Sequence, residues 1–206
     1  MIQFNFPTVL LFGENSVNEL PNAIQEKGIN KLLLVTDQGL SEIGLADKVK
    51  GELTSSGLKI NIFDGVHPNP LEEDVTLGVK AYQRDDYDGI IALGGGSAMD
   101  VAKTIRFMVV HKPPLSQYDD ALGGDAKIVH PMPPLFAIPT TAGTGSEVGR
   151  SSVITIKDTG RKTIFFHPNL IPDIAVLDPA LTVGLPPYIT AATGMDAFTH
   201  CMEAFL

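Results

Sequence analysis

The residues Gly94-Gly95-Gly96-Ser97-Ala98-Met99-Asp100 combine three glycines, a hydroxyl and a carboxylate at a spacing suited to holding phosphate. Glycines let backbone amides approach a ligand with no Cβ in the way. A helix start adds unpaired N–H groups and the positive end of the helix dipole. Ser97 and Asp100 also form a Ser-x-x-Asp pair, a variant of the box that caps a helix. The stretch has two readings, a phosphate-binding turn or a tight turn before a well-capped helix, and glycine spacing alone does not choose between them.

Three further groups carry potential chemistry. Asp196 and His200 are four residues apart, so on a helix they stack on one face a turn apart. A carboxylate and an imidazole so placed can reach one divalent metal. They supply two ligands where a zinc site takes about four, and the pair also fits an ordinary exposed helix face. Asp37 follows the apolar run from Lys31 to Thr36; there a carboxylate can accept from both hydroxyls of a ribose or cap the next helix. Thr140-Thr141-Ala142-Gly143-Thr144-Gly145-Ser146 is dense in small polar groups that suit a phosphate or an amide, although a plain loop would also contain them.

These residues need a scaffold that gathers the ends of strands. Apolar runs at 31–36, 58–63, 87–93, 135–138 and 174–177 read as buried strands. Helical spacing links the first four, from Leu40 to Leu53, from Leu71 to Arg84, and after the glycines. In that last segment Val101, Ala102, Ile105, Met108 and Val109 recur, and Lys103, Thr104 and Arg106 fall on the other side. Strands alternating with helices predict an α/β fold, a Rossmann-like, doubly wound parallel sheet. Gln3 to Phe12, interrupted by Pro7, reads as one or two edge strands. Ser152 to Ile156 and Lys162 to Phe166 form a β-hairpin about Asp158-Thr159-Gly160. Pro186-Pro187 marks a boundary between an α/β unit over 1–184 and a helical region over 185–206. The apolar close at Cys201-Met202-Glu203-Ala204-Phe205-Leu206 has no cap or stop signal. It leads us to expect partner helices from missing chain or from another copy.

Composition narrows the function classes. Hydrophobic residues make up 44% and charged residues 19%, enough for a core and against disorder. A net charge of −9 argues against nucleic acid and anionic membranes as partners, yet local backbone donors can still hold a dinucleotide. Cys201 is the only cysteine, so no internal disulfide forms, which fits a cytoplasmic location. Met1 to Phe6 lacks the features of a signal peptide, and no run approaches the ~20 apolar residues of a membrane span.

Taken together, Val35-Thr36-Asp37, Pro68-Asn69-Pro70, Gly94 to Asp100, Pro139 to Glu147, Asp178-Pro179-Ala180-Leu181-Thr182 and Gly194-Met195-Asp196-Ala197-Phe198-Thr199-His200 resemble the iron-containing (group III) metal-dependent alcohol dehydrogenases. The likeness runs along the whole chain and covers the N-terminal portion of a family member. It implies a nucleotide-binding α/β domain, followed by the first helix of an all-helical domain, with the cofactor in the cleft between. By resemblance, Asp37 holds the adenosine ribose, and Asn69 and Pro70 border the cofactor. Gly95, Gly96, Ser97 and Asp100 surround the pyrophosphate; Thr140, Thr141 and Thr144 line the adenine and phosphate region; Lys162 lies near the nicotinamide ribose. Asp196 and His200 match the first two ligands of a catalytic divalent metal, Fe2+ or Zn2+. Two further family histidines have no counterpart here, and His67, His111, His130 and His167 sit in no matching motif. The carboxylate at Asp37 would repel a 2′-phosphate, favouring NAD over NADP.

The implied activity is hydride transfer between NAD and a small alcohol or aldehyde, with the metal as Lewis acid, in a homo-oligomer. The alternatives are a non-catalytic nucleotide-binding or self-associating module, built around Phe198, Met202 and Phe205, and a polyol dehydrogenase or maleylacetate reductase relative. A generic α/β domain for another phosphate compound would leave Asp196, His200 and the threonine loop unconnected.

Overall fold

The computed structural model describes residues 7–206. The part of the expected edge-strand region before Pro7 lies outside the described residues. The strands are β1 (Val9–Phe12), β2 (Lys31–Asp37), β3 (Lys59–Val66), β4 (Gly89–Gly94), β5 (Leu135–Pro139), β6 (Ser151–Thr155), β7 (Lys162–Phe166) and β8 (Ile174–Leu177). The α-helices are α1 (Leu20–Glu26), α2 (Gln38–Glu42), α3 (Leu45–Thr54), α4 (Glu72–Gln83), α5 (Gly96–Met108) and α6 (Pro187–Phe205). Six strands form one sheet in the order β1-β8-β5-β4-β2-β3, and every pairing within it is parallel. β6 and β7 form the separate antiparallel hairpin.

The apolar runs are continuous because both faces of the sheet are covered, and the two-residue period of a strand divides them. Leu33, Val35, Ile90, Ala92, Leu135 and Ala137 face a core with Val75 of α4 and Val101 and Ile105 of α5. Leu32, Leu34, Ile91, Leu93, Phe136 and Ile138 face the opposite core, with Leu20 and Ile24 of α1 and Ala46, Val49 and Leu53 of α3. From β2 the chain moves outward to β3, then crosses back to β4 and on to β5. The direction reverses between β2 and β4, and their carboxyl ends carry Asp37 and Gly94. In open α/β sheets, ligands bind at such a switch point.

Two local expectations change. The helix expected from Leu40 to Leu53 is two helices, because Gly44 takes a left-handed φ of 77° between α2 and α3. On α5, Lys103 and Thr104 are fully buried and Arg106 nearly so; none of them faces solvent. The hairpin covers Lys103 and Thr104, with Ile154 of β6 and Phe165 of β7 joining the core around α5, while Pro133 and the segment from Asn169 to Asp173 engage Arg106. The hairpin is also tied to the turn after β3, where Thr155 N donates to Pro70 O at 2.8 Å.

No residue of α6 is buried, and Tyr188, Met195, Phe198, Met202 and Phe205 are exposed. Among the described residues no helix is long and apolar enough to cross a membrane.

α4 and α5 approach closely at Gly78, where an added Cβ would stand 2.2 Å from Ile105 Cδ1 and 2.8 Å from its Cγ1. Gly78→Ala should therefore destabilise the fold by about 1–3 kcal/mol through overpacking, measured by urea unfolding. Gly78→Ala combined with Ile105→Val, which removes the clashing methyl, should recover part of that loss.

Candidate functional site

β4 hands the chain to α5 through the glycines. Gly94 has φ 142°, and a Cβ there would lie 2.8 Å from Ala98 Cβ, so the turn needs glycine. Gly95, the N-cap, is extended, and no side chain caps the helix. The first amides of α5 consequently lack an intrahelical acceptor, at the positive end of a 13-residue dipole. Gly96 and Ser97 at this helix start line a cavity of about 390 Å³.

The expected Ser97–Asp100 capping box does not form. Ser97 Oγ donates to Pro68 O at 2.7 Å. The Asp100 carboxylate accepts from Ser146 Oγ at 2.8 Å and from Val153 N at 3.1 Å. Both side chains are drawn away by neighbouring segments, and the helix amides are left for a ligand.

Pro68, Asn69 and Pro70 of the turn after β3, and Thr144 to Ser146 of the small-residue loop, form further walls of the cavity. Lys162 also lines it and donates from Nζ to Asn69 Oδ1 at 3.2 Å. Beneath Asp100 lies Lys103, which donates to Ser146 Oγ, Gly149 O and Ser151 O, each at 2.9 Å. Burial pushes the Asp100 carboxyl above its usual range, against the pull of Lys103. Burial likewise draws the Lys103 ammonium down to about 8, with Asp100 opposing the fall.

Asp37, Gly95, Thr140 and Thr141, expected at the cofactor, do not line this cavity and lie at the glycine turn instead. Asp37 Oδ1 accepts from Leu40 N at 3.0 Å, capping α2. Its Oδ2 is 3.5 Å from where a Cβ on Gly94 would be. Thr140 is buried and its N donates to Gly94 O at 3.0 Å. Thr141 Oγ1 is 3.2 Å from the Cβ position of Gly95. Asp37, Thr140 and Thr141 therefore brace the glycine turn to which Gly95 belongs.

Asp196 and His200 reach the cavity from α6. His200 Nδ1 lies 2.8 Å from Gly143 O, so Nδ1–H donates to that carbonyl and Nε2 is the nitrogen turned toward a metal. Nε2 is 3.9 Å from Asp196 Oδ1. This pair fits two donors of a divalent site; among the described residues no group of three or more His, Cys, Asp or Glu could hold a metal. The sequence reading missed Lys103 as a site residue. Its position three residues after Asp100, hence on the same helix face, was the available signal.

The family model for iron-containing alcohol dehydrogenase matches residues 7–179. A 4-hydroxybutyrate dehydrogenase of Cupriavidus necator is 44% identical over 93% of this chain and 49% of its own. A crystal structure of a 1,3-propanediol oxidoreductase superposes with a TM-score of 0.90 at 39% identity, covering 98% of this chain and 52% of that one. The sulfoacetaldehyde reductase of Bifidobacterium kashiwanohense, solved in complex with NAD+, superposes with a TM-score of 0.83 at 30% identity, over 95% of this chain and 51% of its own. The chain spans about half the length of the curated relatives it matches.

α6 meets the threonine loop at Gly143, which has φ 105°; a Cβ there would lie 2.6 Å from Asp196 Oδ2 and 2.8 Å from Thr193 O. Gly143→Ala combines backbone strain with that clash. We expect about 1–3 kcal/mol of strain to appear as faster amide exchange in α6, read by hydrogen–deuterium exchange of peptides covering 193–202, while peptides of β2 and β4 are unchanged.

Proposed function

Because the chain belongs to the iron-containing alcohol dehydrogenase family, we propose that it supplies the dinucleotide-binding side of an NAD-dependent, metal-assisted interconversion of an alcohol and an aldehyde or ketone. The observation that carries the reading is the uncapped start of α5, opening beside Gly96 and Ser97 into a cavity that Asp196 and His200 also line. When bound, the nicotinamide accepts or donates the hydride and a divalent ion, Fe2+ or Zn2+, supplies a Lewis acid.

The chain's own residues position the reactants. The free amides at Gly96 and Ser97 hold the pyrophosphate, and Thr140, Thr141 and Thr144 support that turn. Asp37, at the switch point, takes the adenosine ribose and repels a 2′-phosphate, which favours NAD over NADP. Asn69, Pro70 and Lys162 border the nicotinamide end, with Lys162 held by its bond to Asn69. Asp196 and His200 hold the metal, and Gly143 O fixes the His200 ring. We place the boundary between the α/β unit and the helical region at 184/185, so that α6 brings the two metal donors to the cofactor cavity. The exposed apolar side chains of α6 support self-association, and the exposed free thiol of Cys201 suits the reducing cytoplasm.

Calorimetric titration with NADH tests the reading. We expect 1:1 binding, tighter than for NADPH. Gly96→Val, which drives a side chain toward Thr144 Cγ2 at 2.8 Å from the first added atom, should weaken it by about ten-fold or more, ~1.4 kcal/mol per decade. Asp37→Ala should narrow the gap between NADH and NADPH. Equal thermal protection by inorganic phosphate and by ADP-ribose would reject a dinucleotide site.

A further inference from the structure

Lys103 has no assigned part in the reaction, yet it is fully buried and charged. Its three ammonium protons are used on Ser146 Oγ, Gly149 O and Ser151 O. Ser146 Oγ passes its own proton toward Asp100 Oδ1. Asp100, Ser146, Gly149 and Ser151 all line the cavity. An apolar side chain would fill the same space without the cost of burying an ion. What an apolar side chain could not do is offset the carboxylate of Asp100, which stands in the wall that faces the phosphates.

We propose that Lys103 is a positioning residue for the dinucleotide: its ammonium cancels the charge of Asp100 and pins Ser146, Gly149 and Ser151 to α5, and affinity for the dinucleotide depends on that ammonium. This inference rests on the dinucleotide reading above. The charged groups acting on Lys103 are Asp100 and Arg106 on its own helix and Glu147 on the loop. In the free protein its proton is lost near pH 8. A bound pyrophosphate adds negative charge nearby and holds the proton to higher pH. Below about pH 8 the free and bound forms both carry it, and binding takes up no proton. Above that pH the free form has lost it, so binding takes up a proton and affinity falls as pH rises.

The test is calorimetric titration of NADH into the full chain at about pH 7 and about pH 9, in buffers of different ionisation enthalpy. At the higher pH the wild-type chain should take up a large fraction of one proton and bind about ten-fold more weakly; at the lower it should take up almost none. Lys103→Met should bind weakly at both values with no proton uptake, and Lys103→Met combined with Asp100→Asn should regain part of the loss. Affinity and proton uptake in the wild-type chain that are the same at both pH values overturn the proposal, even if Lys103→Met does not fold. So does a folded Lys103→Met chain with the wild-type profile. A wild-type chain that fails to bind NADH at about pH 7 overturns the dinucleotide reading itself, and this inference with it.

Discussion

The start of α5 is where the demands of the structure conflict. A helix covered by the sheet on one side and by the β6–β7 hairpin on the other is buried over most of its length. Its first amides nevertheless need an acceptor. The protein leaves that end without a side-chain cap and turns it toward a cavity. The surrounding features follow from this choice. Gly94 makes the turn, Ser97 and Asp100 engage neighbouring segments, and the hairpin closes over the helix while Thr155 N ties it to Pro70 O. The start of α2 at this end of the sheet shows the contrast. There Asp37 accepts from Leu40 N and caps the helix.

The sheet was legible because its strands are buried on both faces, and so read as unbroken apolar runs. Leu32 to Val35 and Ile90 to Leu93 could hardly be anything else. The break at Gly44 was less visible, since Ile43, Leu45 and Val49 keep helical spacing across it while the glycine reverses φ. Polar burial misled the reading of α5. Lys103, Thr104 and Arg106 look like a solvent face when only periodicity is read. Segments far along the chain supply the acceptors that let them be buried, the loop before β6 and β6 itself for Lys103 and Thr104, and periodicity within one helix carries no information about such partners. Arg106 shows this well, bonded to Pro133 O, Asn169 O, Ile171 O and Asp173 Oδ2.

The candidate site was legible as a set of motifs and not as a geometry. Asn69, Gly96, Ser97, Asp100, Thr144, Lys162, Asp196 and His200 meet around one cavity, although up to 131 residues separate them. Asp37 illustrates the limit. Ribose contact and helix capping were competing readings, and the capping bond is present. The two are compatible, because an ionised carboxylate has about four acceptor sites over two oxygens. The cap uses Oδ1, and Oδ2 faces the glycine turn.

An acidic protein that takes up an anionic cofactor must do so locally. With a net charge of −9, the long-range field does not attract a dinucleotide. At physiological salt, however, exposed charges are screened beyond about 8 Å, so the distant carboxylates matter little at the cavity. What acts there is the end of the α5 dipole, together with Lys162 and the buried pair of Asp100 and Lys103. The buried pair is shielded from salt, and its balance is therefore the part of the local field that solution conditions change least. Proton loss from Lys103 and proton gain by Asp100, each favoured by burial, are what upset it, and that ties the charge of the site to pH more closely than to ionic strength.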